Sequence, residues 1–365
     1  MANTHPSIPV LDLAGTPGQI GAAHGESQRE RIRDHAERFL GWLLSAAAVR
    51  LTEQQLWDRW APQVGVNRRE APDLIEEMQG ISRGAAMPFE RIFLLNSLLD
   101  LNSFHYLDLA TAFAGCSTFA VAAEAGTGRT LVGQTYDMPA FHQDYLTLLR
   151  LKPAAGPRQL VFTFAGIVGA AGLNEAGIAL NINYLSPLDV GLGRLHSIVV
   201  RQILASTQLA DALTHPVLPP RAGGAHFLVA DRDGNVVSVE TTARRFAVAY
   251  PQGLAIGHTN HYLATELRDT EYLRANSIGG SLARYTALRR FLQERGDRLT
   301  VDALMELTRN HTSYPRSICA HGISSEPAES RTRTVAALVQ IPADGVMHVT
   351  SGCACEGGYH AVSLA

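Results

Sequence analysis

The sequence predicts a mixed α+β fold in which a helical N-terminal region precedes antiparallel strands. Apolar residues recur at helical spacing through much of residues 18–107. Short strand-like runs bounded by glycine turns begin at Cys116. Further helix and strand patterns share the rest of the chain, without a long linker. We therefore expect helices packed on stacked antiparallel sheets.

The N-terminal region contains four stretches with helical patterns. The first covers residues 18–48, where apolar residues alternate with charges at helical spacing. Thr52 and Gln55 fit a capping box, in which each side chain satisfies a backbone N–H group of the other, so a helix should follow. Residues 70–107 contain two more stretches, and a break is predicted between them at residues 84–88.

The central region begins with a predicted β-hairpin. Residues 116–122 and 130–136 have strand patterns, and the segment 124–129 between them has the composition of a turn. Two strands of similar length joined by a short turn bring their outer ends together. We therefore expect Cys116 and Asp137 to lie near each other at one end of this hairpin.

The later elements are a series of strands interrupted by helices. Strands are predicted at residues 159–164, 178–183, 226–229, 236–240, 246–250, 335–340 and 346–349. Hairpin turns are predicted at residues 231–235 and 342–345. Helices are predicted at residues 197–205, 278–294 and 301–308, the last of them capped by Thr300.

Composition narrows the classes of partner. The chain has 365 residues, of which 46% are hydrophobic and 18% charged, as is ordinary for a globular protein. Its net charge of −3 argues against nucleic acid as the main partner, because phosphate binding needs clustered positive charge. Residues 1–13 have neither the basic start nor the apolar stretch of a secretory signal, and the sequence contains no apolar run of about 18 residues, so neither secretion nor a membrane partner is expected. The expected location is the cytoplasm.

The chain has four cysteines, at positions 116, 319, 353 and 355. They do not indicate a disulfide framework, because that pattern belongs to small secreted chains. A single residue separates Cys353 from Cys355, which is too close a spacing for the usual zinc knuckle. The nearby histidines are His321 and His360. For Cys319, Cys353 and Cys355 the sequence favours buried, unreactive thiols over a metal site. No metal is expected.

Cys116 is the candidate for chemistry. A thiol attacks well only as its thiolate, and its ordinary pKa of about 8.5 means that it needs a base. If Cys116 became the first residue of a chain, its own α-amino group, with a usual pKa of about 7.7–8.0, could take the proton. Gly115 tolerates the distorted, open backbone that attack of the thiol on the Gly115 carbonyl requires. Taken alone, the pair favours a strand start with a buried thiol over a catalytic residue.

The motifs around Cys116 resemble a known family. Gly115-Cys-Ser-Thr-Phe is followed by Gly133-Gln-Thr-Tyr-Asp137 and later by His258-Thr-Asn-His-Tyr262. In this order they resemble the acyl-coenzyme A:6-aminopenicillanic acid acyltransferase family, which is grouped with the cysteine N-terminal nucleophile hydrolases. The resemblance implies a four-layer αββα sandwich and autocatalytic cleavage after Gly115. It also implies a mainly helical short chain, residues 1–115, that stays packed on a catalytic chain, residues 116–365.

The resemblance implies roles for single residues as well. Cys116 would be the nucleophile and, through its freed amine, the general base, and Asp137 would hold that amine or the thiol. Asn260 would donate its side-chain N–H to the oxyanion of the tetrahedral intermediate, with Asn183 as a second contact. Arg284 resembles an arginine that related hydrolases keep near the nucleophile. The alternatives are turn residues for Asp137 and Asn260, a buried strand asparagine for Asn183 and a surface residue for Arg284.

Two features separate the chain from the related bile-salt hydrolases. Gln134 stands three residues before Asp137, where those enzymes carry arginine, and a long segment precedes Cys116, which they lack. Bile-salt substrates are therefore not expected. Side chains near the motifs are predicted to bind the substrate, and these are Gln134, Tyr136, Met138, Phe141 and Tyr184. Aromatic and aliphatic residues in the segments that follow the motifs favour an apolar acyl group.

Three functions remain open from the sequence. The leading hypothesis is hydrolysis of a linear, non-peptide amide through an acyl-cysteine intermediate. The alternative is transfer of an acyl group to an amine, with acyl-coenzyme A as co-substrate and no other cofactor. The third is an uncleaved binding protein on the same scaffold. His258 and His261 are expected to be structural, because the freed amine already provides a base.

Overall fold

The computed structural model describes residues 8–102, 115–124, 127–272, 278–326 and 331–365. The strands are β1 (Val10–Gly15), β2 (Gly115–Val121), β3 (Leu131–Pro139), β4 (Leu146–Pro153), β5 (Gln159–Phe164), β6 (Ala171–Asn174), β7 (Ala179–Leu185), β8 (Gly224–Ala230), β9 (Val236–Thr241), β10 (Phe246–Ala249), β11 (Ala255–His258), β12 (Thr332–Ile341), β13 (Val346–Ser351) and β14 (His360–Ser363). The helices are α1 (Pro17–Ser27), α2 (Arg29–Ala46), α3 (Glu53–Trp60), α4 (Pro62–Glu70), α5 (Pro72–Ala85), α6 (Phe89–Asn96), α7 (Leu98–Asn102), α8 (His196–Leu204), α9 (Leu209–Val217), α10 (Ile278–Arg295) and α11 (Val301–Leu307).

These strands form two sheets. The first has the order β1-β4-β5-β6-β7-β8-β9-β10, and the second has the order β11-β2-β3-β12-β13-β14. Strand β1 runs parallel to β4, whereas the other pairings are antiparallel. The second sheet therefore carries the predicted hairpin β2–β3 at its centre.

The sheets and helices stack in four layers. A core between the sheets joins residues of β2, β3 and β12 to residues of β5, β7 and β8. On the outer face of the first sheet, α1, α8 and α9 cover a second apolar cluster. On the outer face of the second sheet, α10 and α11 cover a third. This arrangement confirms the α+β class and the αββα sandwich.

The N-terminal helices follow the sequence prediction closely. The predicted stretch 18–48 is divided at Gln28 into α1 and α2. The capping box is confirmed, since the Thr52 hydroxyl accepts from Gln55 N and the Gln55 side chain accepts from Thr52 N. The break at residues 84–88 is confirmed by Ala86, which is left-handed with φ 49°. The predicted helical residues 103–107 lie outside the described part of the chain.

Helices α1 and α5 cross with their backbones in contact. A Cβ added at Gly21 would lie 1.9 Å from the Glu77 carbonyl oxygen, and one added at Gly84 would lie 2.2 Å from the Ala22 carbonyl oxygen. Only glycine allows so close an approach. This close crossing joins α5 to α1, which covers the outer face of the first sheet.

Several elements escaped the sequence prediction. The edge strands β1 and β14, the four-residue strands β6 and β11, the strand β4 and the helix α9 had no predicted counterpart. Short and edge strands carry little periodic signal, because their pairing is decided by distant partners. None of the helices in the described ranges combines the length and apolar character needed to cross a membrane.

Candidate active site

The Cys116 side chain lies between the two sheets at the start of β2. The hairpin β2–β3 pairs Cys116 with Tyr136 and Gly115 with Asp137, which confirms that Cys116 and Asp137 meet at one end. Cys116 is 4% exposed and belongs to the core between the sheets. Gly115 and Cys116 are consecutive residues of one strand, so the structure describes the uncleaved chain.

Asn260 contacts the backbone nitrogen of Cys116. Strand β11 pairs antiparallel with β2 and ends with His258 opposite Thr118. Continuing that register places Asn260 beside Cys116, and the Cys116 N–H donates to Asn260 Oδ1 at 2.8 Å. On the other side of the amide, Asn260 Nδ2 donates to the Tyr184 carbonyl at 3.0 Å. These partners fix the orientation of the amide, because an N–H must meet the oxygen and a carbonyl must meet the nitrogen.

Asp137 lies beside Gly115 rather than beside the thiol. Side chains alternate along a strand, and therefore Asp137 projects to the face opposite that of Cys116. A Cβ added at Gly115 would lie 2.8 Å from Asp137 Oδ2. Gly115 is not among the glycines with positive φ. The requirement for glycine before Cys116 is thus one of space beside a carboxylate, and not the backbone tolerance expected from the sequence.

Asp137 and Arg284 form a buried charged pair behind the Gly115–Cys116 bond. The Thr334 hydroxyl donates to Asp137 Oδ1 at 2.7 Å, and Arg284 Nε lies 4.0 Å from Asp137 Oδ2. Burial raises the pKa of Asp137, and Arg284 and Thr334 partly offset that effect. Arg284 also donates through a terminal N–H to Asn260 Oδ1 at 2.6 Å. Arg284 is a buried residue of α10 and not a surface residue.

The thiol of Cys116 is held in its protonated form in the uncleaved chain. Burial and the neighbouring Asp137 carboxylate raise its pKa to about 12, against opposing effects of Arg284, the Gln134 side chain and the Asp137 backbone. A thiol of this kind ionises only if a base takes its proton. The Cys116 backbone nitrogen, which donates a hydrogen bond to Asn260 Oδ1, could become such a base if the Gly115–Cys116 bond were cleaved.

Cys116 borders an apolar cavity of about 40 Å³. Three of the predicted substrate-binding residues, Tyr136, Met138 and Tyr184, contribute to its lining. Leu98 and other residues of α6 and α7 close it from the N-terminal side. The cavity therefore lies between the segment before Cys116 and the two sheets.

Two other predicted substrate-binding residues are not part of this lining. Gln134 joins the two sheets, since its side chain donates to the Ile182 carbonyl at 2.6 Å and accepts from Ile182 N at 3.0 Å. Phe141 is buried and packs against Trp42 and beneath the Arg38 guanidinium. In the uncleaved chain both have structural contacts.

Asn183 belongs to a buried polar network between the sheets. Its Oδ1 accepts from the Thr118 hydroxyl at 2.6 Å and lies 2.7 Å from His226 Nδ1. Its Nδ2 is buried without a hydrogen-bond partner among the described residues. Thr118 is two residues along β2 from Cys116 and on the same face. Asn183 does not line the cavity at Cys116.

His258 and His261 hold the turn that carries Asn260. His258 Nε2 lies 2.6 Å from Glu240 Oε1, and its ring stacks on His226 with centroids 3.7 Å apart. His261 Nδ1 lies 2.8 Å from the Ser281 hydroxyl, which also accepts from Asn260 N at 2.8 Å. These contacts agree with the structural roles expected for the two histidines.

Sequence reasoning missed three groups around the site. Thr334 faces Asp137 across the β3–β12 pairing, and Ser281 binds the backbone of Asn260. Asp100 and His196 form an ion pair of 2.6 Å at the cavity. Each depends on a contact between residues far apart in the chain, which no local sequence pattern predicts.

Comparison with known proteins gives one family. Residues 124–353 match the family model described as acyl-coenzyme A:6-aminopenicillanic acid acyl-transferase. The acyl-coenzyme A:6-aminopenicillanic-acid-acyltransferase 40 kDa form of Emericella nidulans is 27% identical over 308 residues, covering 84% of this chain and 82% of its own length.

Solved structures with some similarity include an N-acylethanolamine-hydrolyzing acid amidase ortholog from Caenorhabditis elegans. It is 12% identical with a TM-score of 0.46, covering 62% of this chain and 93% of that one. The penicillin V acylase of Agrobacterium tumefaciens is 12% identical with a TM-score of 0.43, covering 65% of this chain and 83% of that one.

Proposed function

The chain belongs to the acyl-coenzyme A:6-aminopenicillanic acid acyl-transferase family, and from this premise we propose that it is a self-cleaving enzyme with an N-terminal cysteine nucleophile. Its reaction is the hydrolysis of a linear, non-peptide amide through an acyl-cysteine. The observation that carries the proposal is the hydrogen bond from the Cys116 backbone N–H to Asn260 Oδ1, at the edge of an apolar cavity. That nitrogen is the atom that cleavage would turn into a base.

Self-cleavage uses the groups that flank the Gly115–Cys116 bond. The Cys116 sulfur attacks the Gly115 carbonyl carbon and gives up its proton. The bond from that carbon to the Cys116 nitrogen breaks, and the nitrogen takes up a proton as a free α-amine. Water then opens the Gly115 thioester and restores the thiol. The lack of a Cβ at Gly115 leaves the Asp137 carboxylate beside the reacting bond.

In turnover the freed amine takes the thiol proton. The sulfur attacks the substrate carbonyl, and the amine returns the proton to the leaving nitrogen. Water then hydrolyses the acyl-cysteine. Asn260 Oδ1 remains a hydrogen-bond acceptor for the amine. The Arg284 guanidinium donates to the same oxygen, and its positive charge disfavours protonation of the amine beside it. The cavity residues Tyr136 and Met138 support an apolar acyl group.

The segment before Cys116 is proposed to remain bound as the short chain of a heterodimer. Arg201 of α8 pairs with Glu77 of α5 through two hydrogen bonds of 2.7 and 3.0 Å, with both side chains buried. The ion pair of Asp100 with His196 is buried as well. Removing one partner of a buried pair leaves an uncompensated charge, at a cost of about 3–5 kcal/mol.

The second candidate is acyl transfer from coenzyme A to an amine. It is favoured by the similarity to the Emericella nidulans acyltransferase and uses the same acyl-cysteine. The two reactions differ in whether water or an amine reaches the thioester first. The test incubates the cleaved protein with acyl-coenzyme A plus an amine, and separately with N-acyl amides in water. Hydrolysis of amides without transfer supports the first candidate, and amide synthesis from acyl-coenzyme A supports the second.

Turnover should fall as the pH is lowered through the pKa of the freed amine. A protonated amine does not accept the thiol proton, and since its usual pKa is about 7.7–8.0, the loss should be evident below about pH 7. The measurement is kcat/KM of the cleaved protein between about pH 5 and 9. A profile that stays flat down to about pH 5 would contradict the amine as base.

A further inference from the structure

A cluster of cysteine and histidine side chains lies outside the candidate active site. His311 follows α11, Cys319 and His321 lie in the irregular segment before β12, and Cys355 lies in the turn after β13. The ligand atoms of these four residues all lie within 4.8 Å of one another. Cys319 is buried, His321 is partly buried, and His311 and Cys355 are exposed.

The distances between these atoms are those of a tetrahedral zinc shell. Zinc bonds of about 2.3 Å to sulfur and 2.0–2.1 Å to nitrogen require edges of about 3.8 Å for S···S, 3.6 Å for S···N and 3.3 Å for N···N. The Cys319 and Cys355 sulfurs are 3.6 Å apart. His321 Nε2 lies 3.7 Å from the Cys319 sulfur and 3.3 Å from the Cys355 sulfur. His311 Nε2 lies 3.1 Å from His321 Nε2.

A carboxylate stands behind one of the imidazoles. Glu356 Oε1 lies 3.4 Å from His321 Nδ1. Histidines that bind metals commonly give their second N–H to a carboxylate, which fixes the tautomer and directs the other nitrogen at the metal. Glu356 is itself held by Arg333 at 2.6 Å.

We propose that His311, Cys319, His321 and Cys355 bind one Zn²⁺ ion. Binding releases one proton from each thiol, and two thiolates balance the charge of the ion while two neutral imidazoles complete its shell. Four protein ligands leave no open position, so the site is structural and not catalytic. The sequence had favoured unreactive thiols because Cys353 and Cys355 are separated by a single residue, whereas the fold brings the Cys319 sulfur to Cys355 and leaves the Cys353 thiol donating to the Ala320 carbonyl at 3.3 Å.

The site would fasten two segments that support Asp137. Ala320 N, next to Cys319, donates to the Thr334 hydroxyl at 2.8 Å, and that hydroxyl donates to Asp137 Oδ1 at 2.7 Å. Cys355 belongs to the turn that follows β13, on the other side of the cluster. The ion would therefore hold the irregular segment that positions Thr334.

The test measures metal content and not activity. The full chain, purified with a reductant from zinc-supplemented cells, should contain one zinc ion per chain. Cys355→Ser and His311→Ala, both at exposed positions, should lose it, whereas His360→Ala, an exposed histidine outside the cluster, should keep it. Glu356→Gln should bind zinc about 10–100-fold more weakly in a competition titration with a chromogenic chelator.

Two further measurements keep the result independent of folding and of catalysis. The wild-type chain loaded with Co²⁺ should show the absorption bands of tetrahedral cobalt with thiolate ligands. Cys116→Ala should bind zinc as the wild type does, because Cys116 is not in the cluster. The proposal is overturned if the wild-type chain takes up no zinc, if Cys355→Ser binds it with unchanged affinity, or if Cys319 and Cys355 are found joined as a disulfide in the presence of reductant.

Discussion

Cys116→Ala should leave the protein as one uncleaved chain and abolish turnover. The same sulfur opens the Gly115–Cys116 bond and carries the acyl group, so its removal eliminates both reactions. Loss of a nucleophile in covalent catalysis lowers the rate on the order of 10⁴-fold or more. A denaturing gel should show fragments of 115 and 250 residues for the wild type and the intact chain of 365 residues for the variant.

The matched control for this variant is Ser117→Ala. Ser117 is the next residue of β2, is fully buried, and projects to the opposite face of the sheet. It should cleave and turn over like the wild type. Two fragments from Cys116→Ala, or a single intact band from active wild-type protein, would rule out self-cleavage by Cys116 at this bond. A single intact band from wild-type protein without activity would favour the uncleaved binding protein.

Asn260→Ala should lower kcat/KM by about 10²–10³-fold, the effect expected when a polar group that stabilises the transition state is removed. The Asn260 amide joins the Cys116 backbone nitrogen, the Arg284 guanidinium and the Tyr184 carbonyl. Without it, the amine of the cleaved chain loses its acceptor and the position of Arg284 is no longer fixed. The measurement is steady-state kinetics on cleaved protein, together with the fraction cleaved.

Asn183→Ala provides the contrast, because the family resemblance implies an oxyanion contact for both asparagines. Loss of Asn183 Oδ1 leaves Thr118 and His226 without their shared partner, and the free energy of unfolding should fall by about 1–3 kcal/mol. The loss of kcat/KM should be smaller than that of Asn260→Ala. The opposite order, with stability unchanged, would make the buried Asn183 N–H the oxyanion donor and displace Asn260 from that role.

The local part of the site could be predicted from the sequence. The hairpin β2–β3 follows from two strand patterns and a short turn, and it brings Asp137 opposite Gly115. The position of Asn260 follows from the register of β11 on β2, which the sequence does not contain. The family resemblance implied an oxyanion contact for Asn260, whereas in the uncleaved chain its side-chain oxygen accepts from the Cys116 nitrogen.

Contacts between distant segments could not be predicted. Phe141 follows a site motif directly, yet the 3-10 turn at Ala140–Tyr145 directs it onto α2. The cluster at Cys319 escaped because its members come from three segments that meet only in the fold. The single residue between Cys353 and Cys355 argued against a zinc knuckle, whereas packing brings Cys319 to Cys355.

The buried pairs Glu77–Arg201 and Asp100–His196 each join a residue before Cys116 to a residue after it. They therefore limit whether residues 1–115 and 116–365 can be produced as separate chains. A free catalytic half would have to hold Arg201 and His196 in an apolar wall without counter-charges. We therefore expect that halves produced separately recombine poorly, and that subunits do not exchange between mature molecules. If the proposed cleavage after Gly115 occurs, each short chain should stay with the catalytic chain with which it folded.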